Sequence, residues 1–511
     1  MPGNLRPRTV TPRSLAGLAA LVGATAPADP QISGVTHASG DVRDGDLYAA
    51  LPGARRHGSE FVAGAARAGA VAVLTDPAGA PAAAGAGLPA IVVADPREAL
   101  GVIAAAVYGD PTEHLTVIGI TGTAGKTSTA YLVESGLRAA GHVTGLIGTV
   151  ETRLGDLVVD SVRTTPEATD LHALLAVARE RGVTAVVMEV SSHALAMGRV
   201  GGVRFDVGGY TNFGLDHLDF HTDAADYFAA KAKLFDGRCR VEILNLDDLA
   251  LRPLMKPATL TYSAAGQPAA TWRAISVEGS AYAQRFTAVG PDGAIEAGVS
   301  LPGRHNVANA LLAIAALVAT GVDPATAARG VADCPGVPGR LERVWPSGAG
   351  VSGAGANQPS SGPVLGVVDY AHKPDAIVAA LAALRELAAD RGGRLFCVIG
   401  AGGDRDKAKR PLMGRAAAEG ADVVVVTDDN PRTEDPAAIR RGLLDGATAT
   451  AEVFEIAGRR AAIDFAVGKA APGDIVAVLG KGHERGQEVG GEVLPFDDRV
   501  ELAAALAEVG R

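Results

Sequence analysis

The chain has 511 residues, 48% hydrophobic and 20% charged with 4% aromatics, an ordinary globular composition whose length asks for about three domains at roughly 150 residues each. A formal net charge of −10 leaves no basic face for a nucleic-acid backbone, so a nucleic-acid partner is excluded and any anionic ligand must be met by loops and helix ends. Cys239, Cys334 and Cys397 are far apart and lack CxxC or Cys/His spacing, which excludes a disulfide framework and a zinc site and fits a reducing cytoplasm.

Arg6, Arg8 and Arg13 precede LAGLAALVGA, superficially a signal peptide, but the apolar part is short and reads equally well as a small amphipathic helix. No run approaches the roughly 20 apolar residues of a membrane span. Strand-like runs, VAVLT at 71–75 and AIVVA at 90–94, then alternate with alanine-rich helical stretches as far as Tyr108. The turn GDPTEHL at 109–115 separates this segment from the next apolar run, predicting a first domain over 1–110.

At 117–128 the run VIGITGTAGKTS passes from β-branched residues into glycines and a GKT, the pattern of a buried strand, a phosphate-gripping turn and a helix start. Gly122 and Gly125 let backbone N–H groups curl round a polyphosphate together with Thr123, Ala124 and Ser128. Lys126 supplies a charge, and the Thr127 hydroxyl can ligate Mg²⁺. The generic GxxxxGK[ST] would need glycine where Ile120 stands, so the turn is the shorter TGTxGKT form.

Strand runs TAVVMEV (184–190) and VEILNLD (241–247) alternate with helical stretches from Leu115 to about Gly339, the rhythm of a mostly parallel sheet covered on both faces, and predict a central domain over 111–339. Glu189 ends the first of these strands, where a carboxylate would point at the phosphates and act as a Mg²⁺ ligand. NFGLDHLDFH (212–221) packs two His and two Asp into ten residues, a pattern open between metal or phosphate work and a solvated loop. In YFAAKAKLF, Lys231 and Lys233 fall on a helix apolar on one face, where the bland reading has both snorkelling.

The stretch Ser347–Gly362, SGAGVSGAGANQPSSG, has no periodicity and reads as a mobile loop inside a last domain over 340–511. Beyond it, LFCVIG runs into AGGDRDKAKR, ADVVVVT into DDNPRTEDP and DIVAVLG into KGHERGQE. These loops would line the carboxyl edge of a doubly wound sheet, where such folds bind ligands.

TGTAGKT, MEVSSHAL, DHLDFH, YFAAKAKLF, GRHNVANALLA, GRLE, VDYAHKPDA, GGDRDKAKRPLM, DDNPR and GKGHE occur in this order across nearly the whole chain. In this series the chain resembles the Mur ligases, specifically the type adding the third peptide residue to the peptidoglycan precursor. The resemblance implies an α/β protein of three domains: an N-terminal α/β domain for the uridine nucleotide, a central P-loop ATPase domain with a mostly parallel sheet, and a C-terminal Rossmann-like domain for the incoming amino acid. It also implies a cytoplasmic monomer with no membrane insertion. The activity implied is ATP-dependent amide synthesis on UDP-N-acetylmuramoyl dipeptide, in which the D-Glu carboxylate takes the γ-phosphate and the acyl phosphate is attacked by the amine of diaminopimelate.

By the same resemblance Thr127 and Glu189 hold one Mg²⁺, and His217 helps hold a second. Lys231 is the lysine carboxylated by CO₂ to a carbamate, and Lys126 acts on the phosphates. Asn306, Arg340 and Asp369 match positions around the ATP, although cap and surface roles stay open for the first two. Arg405, Asp429, Asn430, Pro431, Arg432, Gly480 and Glu484 would surround the diaminopimelate. Arg432 can grip its far carboxylate, which a lysine substrate lacks, and Glu484 would read the distant ammonium. For the precursor the candidates are His37, Ser39, Thr164, Thr165, Ser191, Met197 and Arg199.

This chain departs from the family pattern in places. Ala38 and Gly40 stand where Asp and Arg flank Ser39, Met197 where a glutamine is common, Leu215 where a polar residue precedes DHLD, and Ala124 where the P-loop has an asparagine. Three other readings remain, of which a catalytically dead precursor-binding protein is opposed by the intact Thr127, Glu189, His217 and Lys231. A folylpolyglutamate-synthetase-like ligase shares the ATPase plan, but DNPR, GKGHE and a full N-terminal domain tell against it. A P-loop switch needs NKxD, and Asn245-Leu246-Asp247-Asp248 lacks the lysine.

Overall fold

The computed structural model describes residues 5–53, 55–280, 282–346 and 362–510. The loop expected at 347–362 lies, apart from Gly362, outside the described residues. Two compact units divide the chain, one made of residues 1–262, 269–272 and 312–330 and the other of 263–268, 273–311 and 331–511.

The first unit opens on α1 (Leu15–Leu21), the short helix that LAGLAAL supports, with Ser14 accepting from the Gly17 N–H at its start. Four parallel strands follow, β1 (Gly34–Thr36), β2 (Asp46–Ala50), β3 (Ala70–Thr75) and β4 (Ala90–Val92), hydrogen-bonded in that order. Helix α2 (Pro96–Val107) begins with Pro96 after Asp95, whose carboxylate accepts from the Arg97 and Glu98 N–H groups. It buries Leu100, Ile103 and Ala104 among Leu47, Leu74 and Ile91.

The same unit holds β5 (Thr116–Thr121), α3 (Lys126–Ala139), β6 (Thr144–Ile147), the hairpin β7 (Glu151–Leu154) and β8 (Leu157–Asp160), and α4 (Ala168–Glu180). Then come β9 (Ala185–Glu189), α5 (Ser192–Ala196), β10 (Phe205–Tyr210), α6 (Ala224–Ala232), β11 (Cys239–Asn245) and β12 (Leu260–Ser263). Their order is β8-β7-β6-β9-β5-β10-β11-β12, antiparallel at the β6–β7–β8 hairpins and parallel elsewhere. Strand β5 is central and wholly apolar at Val117, Ile118 and Ile120, all 0% exposed, as a strand covered on both faces must be. Its neighbours β9 and β10 both pair with Ile120, so three strand ends open at one carboxyl edge.

The second unit contains, apart from the first residue Trp272, an antiparallel run, β13 (Trp272–Ser280), β14 (Ala283–Gly290) and β15 (Gly293–Val299), outside the βαβ rhythm. It also contains a six-stranded sheet: β16 (Glu342–Val344), β17 (Leu365–Asp369), β18 (Leu395–Ile399), β19 (Val423–Val426), β20 (Glu452–Glu455) and β21 (Ile475–Leu479). The order is β16-β17-β21-β18-β19-β20, with β16 alone antiparallel. Helices α7 (Pro374–Asp390), α8 (Lys409–Gly420), α9 (Pro436–Leu444), α10 (Arg459–Lys469) and α11 (Asp498–Glu508) accompany it, and β22 (Gly486–Val489) pairs with β23 (Glu492–Pro495) as a hairpin. Leu395, Phe396, Cys397, Val398 and Ile399 are each 0% exposed, because apolar layers lie on both sides of β18. The described residues are mixed α/β, with large parallel-rich sheets. Its three cysteines are buried and unbridged, and no described helix is long and apolar enough to cross a membrane.

Candidate functional site

The turn after β5 is held open by glycine. Gly122 has φ +144° and Gly125 φ +84°, a left-handed region that residues with a Cβ avoid, and a Cβ on Gly122 would run into the Thr211 hydroxyl. Asn212 ties the turn from outside, its Oδ1 accepting from the Ala124 N–H at 3.0 Å and its carbonyl from the Thr123 N–H at 2.8 Å. Lys126 folds back and donates to the Gly122 and Thr123 carbonyls at 2.7 and 3.2 Å. Thr127 and Ser128, the next residues of α3, are buried.

Glu189, 1% exposed at the end of β9, accepts from the Thr127 hydroxyl at 3.0 Å and from Thr149 through its N–H at 2.7 Å and its hydroxyl at 3.1 Å. A carboxyl group so buried needs hydrogen-bond partners, and here they are two hydroxyls and an amide. Lys231, 1% exposed on α6, donates to the Gly122 carbonyl at 2.8 Å and lies 4.8 Å from the Tyr227 ring centroid. Lys233 is exposed. Burial therefore separates two lysines that the helical pattern by itself leaves equivalent.

Tyr227 also shares a hydrogen bond with Thr123 at 3.1 Å and its ring is 6.1 Å from that of His217. His217 has φ +53°, is 3.1 Å from Asp216 and meets His193 edge-on, 4.7 Å between centroids. Burial, with His221 close by, pushes the His193 imidazole below its ordinary value. The DHLDFH segment thus folds into a cluster of rings beside the P-loop.

Thr165, fully buried, donates its hydroxyl to the Glu189 carbonyl at 2.8 Å and accepts from the Ser191 N–H at 3.1 Å. Thr164 and Thr149 share a hydrogen bond at 3.0 Å. Arg199 donates to the Thr165 carbonyl at 3.4 Å and to Met197 Sδ at 3.2 Å, and pairs with Glu167 at 2.9 Å. Glu167 also draws in Arg163 at 3.9 Å and Arg97 at 4.0 Å. Three guanidiniums thus gather about this one carboxylate, and none of Arg97, Arg163 and Glu167 stands out in the sequence. Arg97 in turn lines a cavity of about 370 Å³ with His37, Ser39, Tyr48, Arg56 and Phe61, in which His37 Nδ1 is 3.0 Å from the Thr169 hydroxyl. Ala38 and Gly40 line it too and bring no charged group to its wall.

In the second unit Asn306, 3% exposed, donates to the Pro302 carbonyl at 2.8 Å and accepts from Asn309 at 3.0 Å. Arg340 lies over the Tyr370 ring, 4.6 Å from its centroid, and the His483 ring is 5.2 Å from that of Tyr370. Asp369 accepts from the Leu341 and Ala371 N–H groups at 2.6 and 2.7 Å, yet burial still pushes its carboxyl up. Burial likewise takes His483 down to about 4.

The loops after β18, β19 and β21 converge. Asn430 donates to Glu484 at 2.9 Å, while Lys481, 0% exposed, donates to Asn430 Oδ1 at 3.0 Å, to Glu484 at 3.1 Å and to the Gly486 carbonyl at 2.6 Å. Gly480 has φ +117°, and a Cβ there would strike the Asp429 carboxylate. Arg432, at φ +54°, donates to the Gly403 carbonyl at 2.7 Å and to Glu488 at 3.0 Å. Pro431 is buried and Arg405 exposed. The loop of Arg405 is pinned by the Asp404 carboxylate, which accepts from Thr433 at 2.9 Å, and by a bidentate Arg410–Glu434 pair. Arg410 holds the Glu434 carboxyl down to about 2. Nothing in the sequence singles out Lys481 within GKGHE; its burial is the signal that marks it.

Three family models match: "Mur ligase family, catalytic domain" at 31–108, "Mur ligase middle domain" at 120–317 and "Mur ligase, glutamate ligase domain" at 357–482. A UDP-N-acetylmuramoyl-L-alanyl-D-glutamate–2,6-diaminopimelate ligase of Streptomyces coelicolor is 53% identical, covering 99% of this chain and 98% of its own. One of the same description from Corynebacterium glutamicum is 46% identical over 90% and 89%. A solved structure of a ligase so described superposes with a TM-score of 0.66 at 30% identity, covering 94% of this chain and 96% of its own.

Proposed function

The chain belongs to the Mur ligase family, and from that premise we propose that it joins diaminopimelate to the D-Glu carboxylate of UDP-N-acetylmuramoyl-L-Ala-D-Glu at the expense of ATP, in peptidoglycan precursor synthesis. The observation that carries the reading is the buried Thr127–Glu189 pair, with Lys231 on the Gly122 carbonyl, all at one P-loop. The diaminopimelate is argued from the convergence of Asn430, Lys481 and Glu484 beside Arg432.

A carboxylate is a poor electrophile at neutral pH, and phosphorylation gives it a leaving group. The difficulty is charge, since a carboxylate and a triphosphate must approach one another. The turn from Gly122 to Thr127, opening α3, would cradle the phosphates with backbone N–H groups while Lys126 leaves its carbonyl partners for the phosphate oxygens. Thr164, Thr165, Ser191 and Arg199 would hold the precursor near Glu189, with Met197, and His37 and Ser39 in the cavity would take its nucleotide end. Asn306, Arg340 and Asp369 would complete the ATP site. Asn430, Asp429, Pro431, Gly480 and Glu484 would orient the diaminopimelate amine, with Arg405 and Arg432 on its carboxylates.

The residues fit magnesium. Among the described residues no three His, Cys, Asp or Glu side chains form a cage, and Mg²⁺ on a nucleotide takes one or two protein groups with phosphate oxygens and water. Thr127 and Glu189 would hold one ion, and His217 with Lys231 as its carbamate a second; these ions would offset the phosphate charge. A cytoplasmic monomer with domains at 1–110, 111–339 and 340–511 completes the proposal.

Mass-spectrometric ligation with meso-diaminopimelate, LL-diaminopimelate and lysine side by side is the test. A product carrying diaminopimelate, with phosphate release that needs both substrates, is expected. Lysine incorporation alone would overturn the role of Arg432, and substrate-independent hydrolysis would point to a nucleotide switch.

A further inference from the structure

Glu488 lies on β22, in the hairpin after the GKGHE loop, and none of the roles above uses it. Its Oε2 accepts from Arg432 Nε at 3.0 Å. The backbone fixes this meeting: the Arg432 N–H donates to the Glu488 carbonyl at 3.0 Å, the Gly490 N–H to the Arg432 carbonyl at 2.7 Å, and the Glu488 N–H to Asn430 Oδ1 at 2.9 Å. Arg432 is held at φ +54° while it makes these contacts, a conformation that persists only where the surroundings over-determine it. Two long side chains meeting by chance in solvent would show no such registry.

The pairing has a consequence for binding. A guanidinium grips a carboxylate through two parallel N–H groups. In Arg432, Nε is taken by Glu488 and Nη1 by the Gly403 carbonyl, leaving Nη2 as its one nitrogen without a partner among the described residues. An incoming carboxylate therefore meets an anion already seated on one prong, and its binding is an exchange.

We infer that Glu488 is a specificity-determining residue for the amino-acid substrate, an internal carboxylate that occupies Arg432 in the free protein and yields to the substrate's far carboxylate. The inference rests on Arg432 being the residue that receives that carboxylate. Because the pair is partly exposed, with side chains 22% and 40% accessible, the exchange is modest in size and reversible. It weakens the intended substrate, and it keeps the guanidinium from seizing stray monocarboxylates that bring no second point of attachment.

The test is steady-state kinetics of the full chain with diaminopimelate varied, for wild type, Glu488→Gln and Glu488→Ala, with melting curves for each. Both variants are expected to lower KM for diaminopimelate about three- to fivefold, the scale of a partly exposed pair, with kcat within twofold, and to raise inhibition by acetate. A hairpin residue that only braces Arg432 would instead raise KM. An unchanged or raised KM in either folded variant overturns the inference. If wild type itself makes no diaminopimelate product, the proposed function fails first, and the two failures are told apart by that control.

Discussion

Lys231 lies on α6 and Lys233 just past its end, two residues apart, and their surroundings could hardly differ more. An amine 1% exposed against a backbone carbonyl has given up its water, a cost that a snorkelling lysine avoids. Lys231→Ala is expected to lower turnover at least about 100-fold, the scale of losing a charge-stabilising group, and added bicarbonate is not expected to restore it; an unimpaired variant would remove the metal-ligand role. Gly480 is a second single-residue case. Alanine there combines φ +117° with a Cβ against the Asp429 carboxylate, so Gly480→Ala should cost about 1–3 kcal/mol in denaturant unfolding and raise KM for the amino acid.

Two buried side chains show how elements are locked to one another. His172 on α4 is wholly buried, its Nε2 2.8 Å from the Gly201 carbonyl, and burial takes its pKa from 6.5 to about 4. The depressed value means the native state refuses a proton that the unfolded chain accepts. Its stability contribution is thus complete above pH 6.5 and is lost as pH falls toward about 4, a total of about 3 kcal/mol. Urea unfolding measured across that window should show the slope, flattened in His172→Gln. Arg459 of α10 and Asp498 of α11 form an ion pair with both side chains 0% exposed, and Arg459 also donates to the Asp428 and Leu479 carbonyls at 3.2 and 2.9 Å. It thereby braces the starts of the DNPR and GKGHE loops. Arg459→Ala should cost about 3–5 kcal/mol by stranding Asp498, whereas Arg459→Met with Asp498→Leu should cost much less; equal losses in the two would contradict this account.

For the molecule as a whole, a ligand that binds only the native state stabilises it by mass action, about 2.7 kcal/mol at 100-fold over Kd. Mg-ATP should therefore raise the melting temperature of wild type, and Lys126→Ala should abolish most of that rise. Much of this protein is legible along the chain because its signals are local. TGTAGKT carries its own turn geometry, apolar runs such as VVVV at 423–426 declare buried parallel strands, and the ordered motifs point to one family. The antiparallel strands over 272–299 escape that reading, since exposed alternating residues without a helix between them break the βαβ rhythm. What the tertiary structure alone decided are the partnerships: Glu189 with Thr149, Glu167 with Arg97 and Arg199, Lys481 with Asn430, Arg432 with Glu488. A strand or a phosphate turn is written into consecutive residues by backbone preference and hydrophobic period. The burial of a charge, and the group that compensates it, depend on segments dozens of residues apart that meet only once the sheets have formed.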